Sequence, residues 1–319
     1  MTNSYCHWTY SEKLNPSEKY RIEEIDGIKV AWLKTFPYKG NSIGRGLNMI
    51  TNFFRILQVS KIIKGKPDII IGPSVPIASG WAAYLLSKKY KCKFIFEIRD
   101  IWPLALVNSG GIKKYGLIYL VFRILEKFLY KKSNKIFSTL PYVEEHVKQS
   151  GADTSKIVWI PNSINFKNKF DTYYGGNAEE LICYYLGGFG LEHDPINIIR
   201  AAKILKEDNF SKIKFVLIGD GPKKQSCEDL AKKYLLNNIE FKDVIPKEQV
   251  QETLSKSDLL LVCIIDSPVY KYGINLNKIY DYLLSGRPII FSGNSPNDPI
   301  RESGSGMSIT PENPLLLKE

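Results

Sequence analysis

The segment around Lys278 carries residue types suited to binding a phosphorylated ligand. A loop containing Tyr272 and Gly273 precedes a predicted helix, and Lys278 lies near the start of that helix. The helix dipole disfavours a cation at this end unless an anion lies between it and the free amide groups, as a diphosphate would. Asp281 follows one turn later on the same face, placed to accept hydrogen bonds from a ribose diol. The alternative interpretation is a surface ion pair between Lys278 and Asp281.

Two glycine-rich turns follow predicted strands in the same half of the chain. Gly187 and Gly188 follow the strand predicted at 181–186, while Gly219 and Gly221 follow the strand predicted at 214–218. Glycine lets a ligand approach the backbone closely and leaves amide groups free to bind it. Neither turn has the complete dinucleotide fingerprint or the lysine of a Walker loop. A tight turn without a ligand is the alternative for each.

A polar pair ends a buried strand in the first half. Arg99 and Asp100 directly follow the short apolar run at 93–98, and ligands of open parallel sheets bind beyond the carboxyl ends of the strands. Both side chains are therefore predicted to enter the ligand-binding cleft. The alternative is a structural pair of salt-bridged residues.

These residues are positioned by an alternation of short strands and longer helices along the whole chain. The predicted strands are 28–33, 68–72, 93–98, 135–138, 156–160, 181–186, 214–218, 239–241, 259–264 and 288–291. The predicted helices are 46–64, 77–89, 112–132, 141–150, 195–206, 223–235, 247–256 and 276–284. Because a polar, glycine-containing linker is predicted at 165–180, we expect an α/β protein of two doubly wound domains, 1–168 and 169–319.

Composition narrows the class of protein. The chain has 319 residues, of which 44% are hydrophobic and 24% charged, and neither a transmembrane run nor a signal peptide is recognisable. Five cysteines without a C-x-x-C pair indicate a reducing compartment, and the three scattered histidines are expected at the surface rather than at a metal. We therefore expect no metal cofactor.

The charge is distributed unevenly. Residues 1–170 contain 27 Lys/Arg and 12 Asp/Glu, a net charge of +15, whereas residues 171–319 contain 17 and 21, a net charge of −4. The basic half is expected to face an anionic partner, and two predicted basic amphipathic helices, 46–64 and 112–132, favour a membrane surface. Nucleic acid is not expected, since no binding motif accompanies the charge. Solubility alone, with core-packed helices, remains the alternative.

Several motifs together resemble one family. FEIRDIWP (96–103), WIPNSIN (159–165), YLGGFG (185–190), FVLIGDGP (215–222) and YGINLNKIYDYLLSGRPII (272–290) resemble glycosyltransferase family 4 proteins. The resemblance is in particular to bacterial capsule and O-antigen fucosamine-type transferases. It covers nearly the whole chain and implies the GT-B fold, with two Rossmann-like domains facing a cleft.

The resemblance also implies an activity. It implies transfer, with retention of configuration, of a sugar from a nucleotide-sugar, such as a UDP-linked N-acetylated hexosamine. The implied acceptor is a saccharide on a polyprenyl diphosphate at the inner face of the bacterial plasma membrane. The implied donor-binding residues are Tyr272, Gly273, Ile274, Asn277 and Lys278. Arg99 and Asp100 fall where relatives place a His or Asp near the reacting sugar, so the resemblance implies that these two act in catalysis.

The chain departs from the family pattern at two places. Many relatives carry two glutamates with seven residues between them, and here these fall on Gly273 and Asp281, so the pair is incomplete. The arginine and lysine that many relatives use to hold the diphosphate are replaced by GGFGLEH (187–193). Lys278 and backbone amides would then hold more of the diphosphate charge.

Two other functions remain open at this stage: a non-catalytic partner subunit of a transferase, and a UDP-sugar 2-epimerase with the same fold. The polar start of the chain and its end shortly after Pro314 also lead us to expect a fragment of a longer transferase, lacking one βαβ unit of the acceptor half and a closing helix.

Overall fold

The computed structural model describes residues 1–6, 11–38, 42–62, 65–108, 110–164, 180–210 and 212–319. The chain forms two compact units, Met1–Pro161 and Asn162–Glu319. The predicted linker lies outside the described residues except at its last position, Glu180.

The first unit contains nine strands and five α-helices in the part that the structure describes. The strands are β1 (Thr2–Asn3), β2 (Tyr5–Cys6), β3 (Ser11–Glu12), β4 (Tyr20–Ile25), β5 (Ile28–Leu33), β6 (Ile69–Pro73), β7 (Lys93–Ile98), β8 (Lys135–Ser138) and β9 (Ile157–Trp159). The helices are α1 (Ile43–Val59), α2 (Ile77–Tyr90), α3 (Leu104–Asn108), α4 (Leu117–Lys132) and α5 (Glu144–Lys148).

A parallel sheet in the order β6-β7-β8-β9 forms the centre of this unit. Its strand β7 buries Phe94, Phe96 and Ile98 on one face and Ile95 on the other, as expected for a strand covered on both sides. This arrangement confirms the predicted βαβ alternation over residues 68–160.

Strand β5 belongs to a different sheet from the one predicted for it. It pairs antiparallel with β4 and parallel with β1, in a separate three-stranded sheet. The reason is the two-residue turn Asp26-Gly27, in which both residues have positive φ, 50° and 77°. Such turns match the twist of a tight hairpin. The prediction that residues 28–33 extend the doubly wound sheet was wrong, and the Asp-Gly pair was the missed signal.

The second unit has six strands and six α-helices among its described residues. The strands are β10 (Leu181–Leu186), β11 (Ile213–Ile218), β12 (Ile239–Lys242), β13 (Leu259–Cys263), β14 (Ile289–Ser292) and β15 (Gly306–Ile309). The helices are α6 (Pro195–Glu207), α7 (Lys224–Lys233), α8 (Val250–Leu254), α9 (Asn277–Ser285), α10 (Pro299–Ser303) and α11 (Pro314–Lys318). The sequence did not predict α10, β15 or α11.

All six strands form one parallel sheet in the order β12-β11-β10-β13-β14-β15. Apolar residues are buried on both faces of it, in two separate core clusters. The strand order reverses direction between β10 and β13, and ligands of doubly wound sheets bind in the crevice beyond such a reversal. The turn after β10, where Gly187 lies, is therefore the expected position of a ligand crevice.

Several helices differ in extent from their predictions, two of them because the backbone conformation changes within the predicted range. The helix predicted at 112–132 begins at Leu117, since Tyr115 has a positive φ of 63° and Gly116 is extended. The helix predicted at 247–256 is a short 3₁₀ turn, Lys247–Gln249, followed by α8. Within the described ranges, none of the helices has the length and apolar composition required to span a membrane.

Candidate functional site

The turns after β10 and β11 pack directly against each other through their backbones. Gly187 N–H donates to Ile218 O at 2.9 Å, and Gly187 and Gly219 have φ of 153° and 145°. A Cβ added at Gly219 would lie 1.9 Å from the carbonyl oxygen of Gly187, and one at Gly221 would lie 2.7 Å from the Phe189 carbonyl carbon. Only glycine fits these positions, so the sequence forces the two loops together at the end of the sheet.

Lys278 lies against this turn. A Cβ at Gly187 would be 2.5 Å from Lys278 Nζ, so glycine leaves the space that the lysine occupies. The ammonium group donates to Tyr185 Oη at 3.2 Å and lies 4.3 Å from the centre of the Tyr185 ring. Burial lowers the pKa of Lys278 to about 8, because charge is costly where water is excluded.

The hydroxyl of Tyr185 connects Lys278 to the glycine turn. It donates to Gly188 O at 2.6 Å while it accepts from Lys278. Burial raises the pKa of Tyr185 well above its ordinary value, so the hydroxyl stays neutral. Sequence reasoning missed Tyr185 because its position in the strand gave it the appearance of a core residue.

His193 lies beneath the same turn, although it was predicted at the surface. The residue is half-buried, and its ring is 3.6–3.7 Å from the positions that a Cβ on Gly190 or Gly188 would take. Burial, with help from the Lys278 and Lys223 charges, lowers the pKa of His193 to about 3, so the imidazole is neutral near pH 7. Its Nδ1 atom is buried without a hydrogen-bond partner among the described residues.

The loop before α9 is held by an asparagine that the sequence did not single out. Asn297 accepts from the Ile274 amide through Oδ1 at 2.8 Å and donates to Ile274 O through Nδ2 at 2.9 Å. Tyr272 and Ile274 are buried and Gly273 has a φ of 98°. Asn277 is exposed at the start of the helix, where its side chain accepts from Asn162 at 2.6 Å.

Asp281 pairs with Lys247 and not with Lys278. Its carboxylate is buried and forms an ion pair with Lys247, and Gln251 donates to its main-chain oxygen at 3.0 Å. The alternative ion pair between Lys278 and Asp281 does not form, since Lys278 contacts Tyr185 and Asp281 pairs with Lys247. The ribose interaction suggested for Asp281 would have to be shared with Lys247.

In the first unit, the ends of three neighbouring strands hold Arg99 and Asp100. The buried Ser74 Oγ accepts from Arg99 N at 3.1 Å and donates to Asp100 O at 3.0 Å. Thr139 Oγ1 donates to Arg99 O at 3.2 Å. Both side chains are exposed. Sequence reasoning missed Ser74, which fixes the turn.

Arg99 lines a cavity of about 730 Å³ within the first unit. The cavity extends along β6, an edge strand of the four-stranded sheet, and reaches β1, an edge strand of the three-stranded sheet. The charged residues lining it are all cationic, Arg45, Lys66 and Arg99. Its wall also carries the buried Asn52, whose Oδ1 has no partner among the described residues. The cavity suits a ligand with polar or anionic groups.

The described part of the chain holds no cluster of three or more His, Cys, Asp or Glu side chains suited to a metal ion.

Two protein-family models match the chain, one in each unit. "Glycosyl transferase 4-like domain" matches residues 9–163, and "Glycosyl transferases group 1" matches residues 167–276. The probable glycosyltransferase WbjE of Pseudomonas aeruginosa is 23% identical over 296 residues, which cover 88% of this chain and 71% of that protein.

Solved structures resemble the chain in fold. Sucrose-phosphate synthase from Thermosynechococcus elongatus has a TM-score of 0.68 at 15% identity and covers 95% of this chain and 75% of its own. Anabaena HepE in complex with UDP and glucose has a TM-score of 0.64 at 12% identity, covering 92% and 75%. The likeness extends over both halves of the chain.

Proposed function

The chain is a glycosyltransferase with the GT-B fold, and on this premise we propose that it transfers a sugar, with retention of configuration, from a UDP-linked N-acetylated hexosamine to a lipid-linked saccharide. The product would contribute to a cell-surface polysaccharide such as capsule or O-antigen. The resemblance of the motifs to capsule and O-antigen transferases supports this role.

The observation that carries the proposal is the position of Lys278. Its ammonium group is desolvated beside the Gly187 turn, at the reversal of strand order, and no carboxylate forms an ion pair with it among the described residues. A cation held in this state lacks a counter-charge, which the diphosphate of a nucleotide-sugar would supply.

The remaining donor residues follow from this placement. The amide group of Gly188 would complete the diphosphate site, and the loop of Tyr272, Gly273 and Ile274 would form its wall. Gly221, whose amide already donates to Asp220 Oδ1 at 2.7 Å, would keep the second turn close to the ligand. Asn277 and Asp281 would contact the nucleoside and ribose. HepE, a structural relative, is described with UDP and glucose, which supports a UDP-linked donor.

Lys278 would act chiefly on the leaving group. In the transfer, the bond between the anomeric carbon and the β-phosphate oxygen breaks, and its electron pair stays on UDP. A new bond forms between the anomeric carbon and an acceptor oxygen, which loses its proton. A fixed cation and amide dipoles that meet the developing charge on UDP lower the barrier. Because Lys278 fills this role, we propose that transfer requires no metal cofactor.

The first unit would provide the acceptor side. We assign Asp100 as the group that takes the acceptor proton, since its carboxylate lies in the turn at the carboxyl end of β7, where ligands of parallel sheets bind. Arg99 would balance the charge that develops near it. The basic character of residues 1–170 supports a polyprenyl diphosphate acceptor and a peripheral position at the inner face of the plasma membrane.

The test is a transfer assay with a membrane lipid extract. Purified protein is incubated with radiolabelled UDP-N-acetylhexosamines, and label is expected in the organic phase as a lipid-linked saccharide. The anomeric configuration of the product, measured by NMR, should match that of the donor. Lys278→Met is the matched inactive control. UDP binding without organic-phase label for any of these donors contradicts the proposed donor and acceptor.

A further inference from the structure

Lys223 joins the two glycine turns through its side chain and its main chain. Its ammonium group donates to Leu191 O at 3.1 Å and to His193 O at 2.9 Å. Its amide donates to Phe189 O at 3.0 Å. Lys223 follows Gly221 in the second turn, whereas all three acceptors follow the first turn. One residue of the second turn therefore holds the loop of residues 189–193, which leaves the first turn.

The 189–193 loop is held from its other side by the segment that follows β13. Glu192 O accepts from Tyr270 Oη at 3.2 Å and from the Ile265 amide at 3.3 Å. Every carbonyl of the 189–193 loop accepts a hydrogen bond, and Lys223 is the donor to three of them. Because a carbonyl that loses its donor inside a protein is costly, the position of this loop depends on Lys223.

The ammonium charge of Lys223 acts at the same place as that of Lys278. Together with burial, both charges lower the pKa of His193, whose ring lies beneath the first turn. The Lys223 charge also opposes the rise that burial causes in the pKa of Asp194. The fields of two ammonium groups therefore overlap beneath the first turn, although the two lysines come from different elements.

Lys223 lacks a counter-charge, in contrast to the lysine that follows it. Both of its side-chain acceptors are neutral carbonyls, and within the described ranges no carboxylate lies at ion-pair distance from it. Lys224 forms an ion pair with Asp243 at 2.8 Å. Lys223 is also the N-cap residue of α7, where the helix dipole disfavours a cation. An anion bound at the first turn would relieve this unfavourable charge.

The charge of the proposed donor matches this pair of lysines. A nucleotide-sugar carries one negative charge on each of its two phosphates, and Lys278 supplies one positive charge. The segment GGFGLEH (187–193) lacks the arginine and lysine with which many relatives hold this group. Lys223 brings a second positive charge to the segment from outside it.

We propose that Lys223 is a positioning residue for the donor diphosphate, which fixes the 189–193 loop and adds the second positive charge that this loop itself lacks. The proposal deepens the proposed function, on which it rests for the identity of the donor. Lys223 acts through the loop that it holds, whereas Lys278 lies at the first turn itself.

The experiment is isothermal titration of UDP into the full chain and its variants. Lys223→Met is expected to weaken UDP binding about tenfold, because two loop carbonyls lose their donor and the turn loses a charge. Lys223→Arg keeps the charge and the donors, and it should bind UDP within about twofold of wild type. Lys224→Met is the matched control, since it removes the same charge from the next residue, and it should also bind within about twofold.

Lys223→Gln is the second variant, which keeps a hydrogen-bond donor and removes the charge, in case Lys223→Met lowers the melting temperature. It should weaken UDP binding about threefold or more. Unchanged affinity in both neutral variants would overturn the proposal. So would an equal loss in Lys224→Met, or a failure of Lys223→Arg to restore binding, since either would remove the specific role of the Lys223 charge.

Hydrogen exchange of the free protein tests the loop without any donor. Amides of residues 188–193 should exchange about fivefold or more faster in Lys223→Met than in wild type or Lys224→Met. Equal exchange rates would overturn the positioning role and leave the proposed donor intact. Faster exchange in Lys223→Met, combined with no UDP binding by wild type, would defeat the proposed donor and support the role of Lys223 in the loop.

Discussion

The ammonium nitrogen of Lys278 lies 3.2 Å from the hydroxyl oxygen of Tyr185 and 4.3 Å from the centre of its ring. The cation is thus held by a neutral partner and an aromatic face, neither of which cancels its charge. A lysine held in this way is ready to bind an anion, and its chemistry can be tested independently of the sugar.

Replacing Lys278 should remove donor binding. Lys278→Met is expected to weaken UDP binding by about 10–100-fold, the loss of one charged hydrogen bond to a phosphate. Isothermal titration of UDP measures this. Lys271→Met, which removes an exposed lysine from the preceding loop, should bind as wild type does. Equal affinities for Lys278→Met and wild type would contradict the assignment.

The affinity for UDP should fall in mildly alkaline solution. Because the pKa of Lys278 in the free protein is about 8, the lysine is charged at pH 7 and largely neutral at pH 9.5. Binding should therefore weaken as pH rises through 8. Lys278→Arg stays charged and should show a smaller decline, caused only by ionisation of the uracil ring, which affects both proteins equally. A flat wild-type profile from pH 7 to 9.5 would disprove the role of this pKa.

The same burial predicts that Lys278→Met stabilises the free protein. The pKa of Lys278 is lowered from 10.5, so the folded state binds this proton more weakly than the unfolded state, and the charge costs stability below pH 8. The variant should gain about 1–3 kcal/mol in unfolding free energy at pH 7. This gain should shrink between pH 8 and 10.5. Denaturant titrations at pH 7 and pH 10.5 measure this gain. A variant less stable than wild type at pH 7 would indicate that the lysine has a structural role.

Gly219 should tolerate no side chain. A Cβ there would lie 1.9 Å from Gly187 O, backbone against backbone, in a residue with φ of 145°. Gly219→Ala is expected to lower the unfolding free energy by about 3 kcal/mol or more, which a lower melting temperature would show. It is also expected to abolish UDP binding. Gly188→Ala, where the nearest atom is 3.7 Å away, is the control and should fold normally. Similar melting temperatures for the two variants would refute the close packing of the turns.

Ser74 should influence turnover without influencing donor affinity. Ser74→Ala removes the acceptor of the Arg99 amide and the donor to Asp100 O, at a cost of about 1–3 kcal/mol. The maximal rate should fall while UDP affinity, which we assign to the second unit, stays constant. Ser133→Ala removes a similarly buried hydroxyl that bonds only Tyr130 O and should keep the rate. A loss of UDP affinity in Ser74→Ala would contradict this assignment.

Local patterns in the sequence determined the alternation of strands and helices over most of the chain. Short apolar runs such as 93–98, and the glycines that end β10 and β11, depend on near neighbours along the chain. These local patterns are sufficient to identify Gly187, Gly219 and Lys278 as candidate binding residues. The Asp26-Gly27 hairpin was equally local and was overlooked.

Tertiary structure decided which side chains meet. Tyr185 and Lys278 are 93 positions apart, and Ser74 and Arg99 are 25 apart, so their pairing depends on strand order and not on any local pattern. The same is true of Asp281, which the fold pairs with Lys247 instead of Lys278, and of His193, which the turn covers. Sequence periodicity specifies what each segment buries, whereas the order of strands in a sheet specifies which segment ends share a crevice.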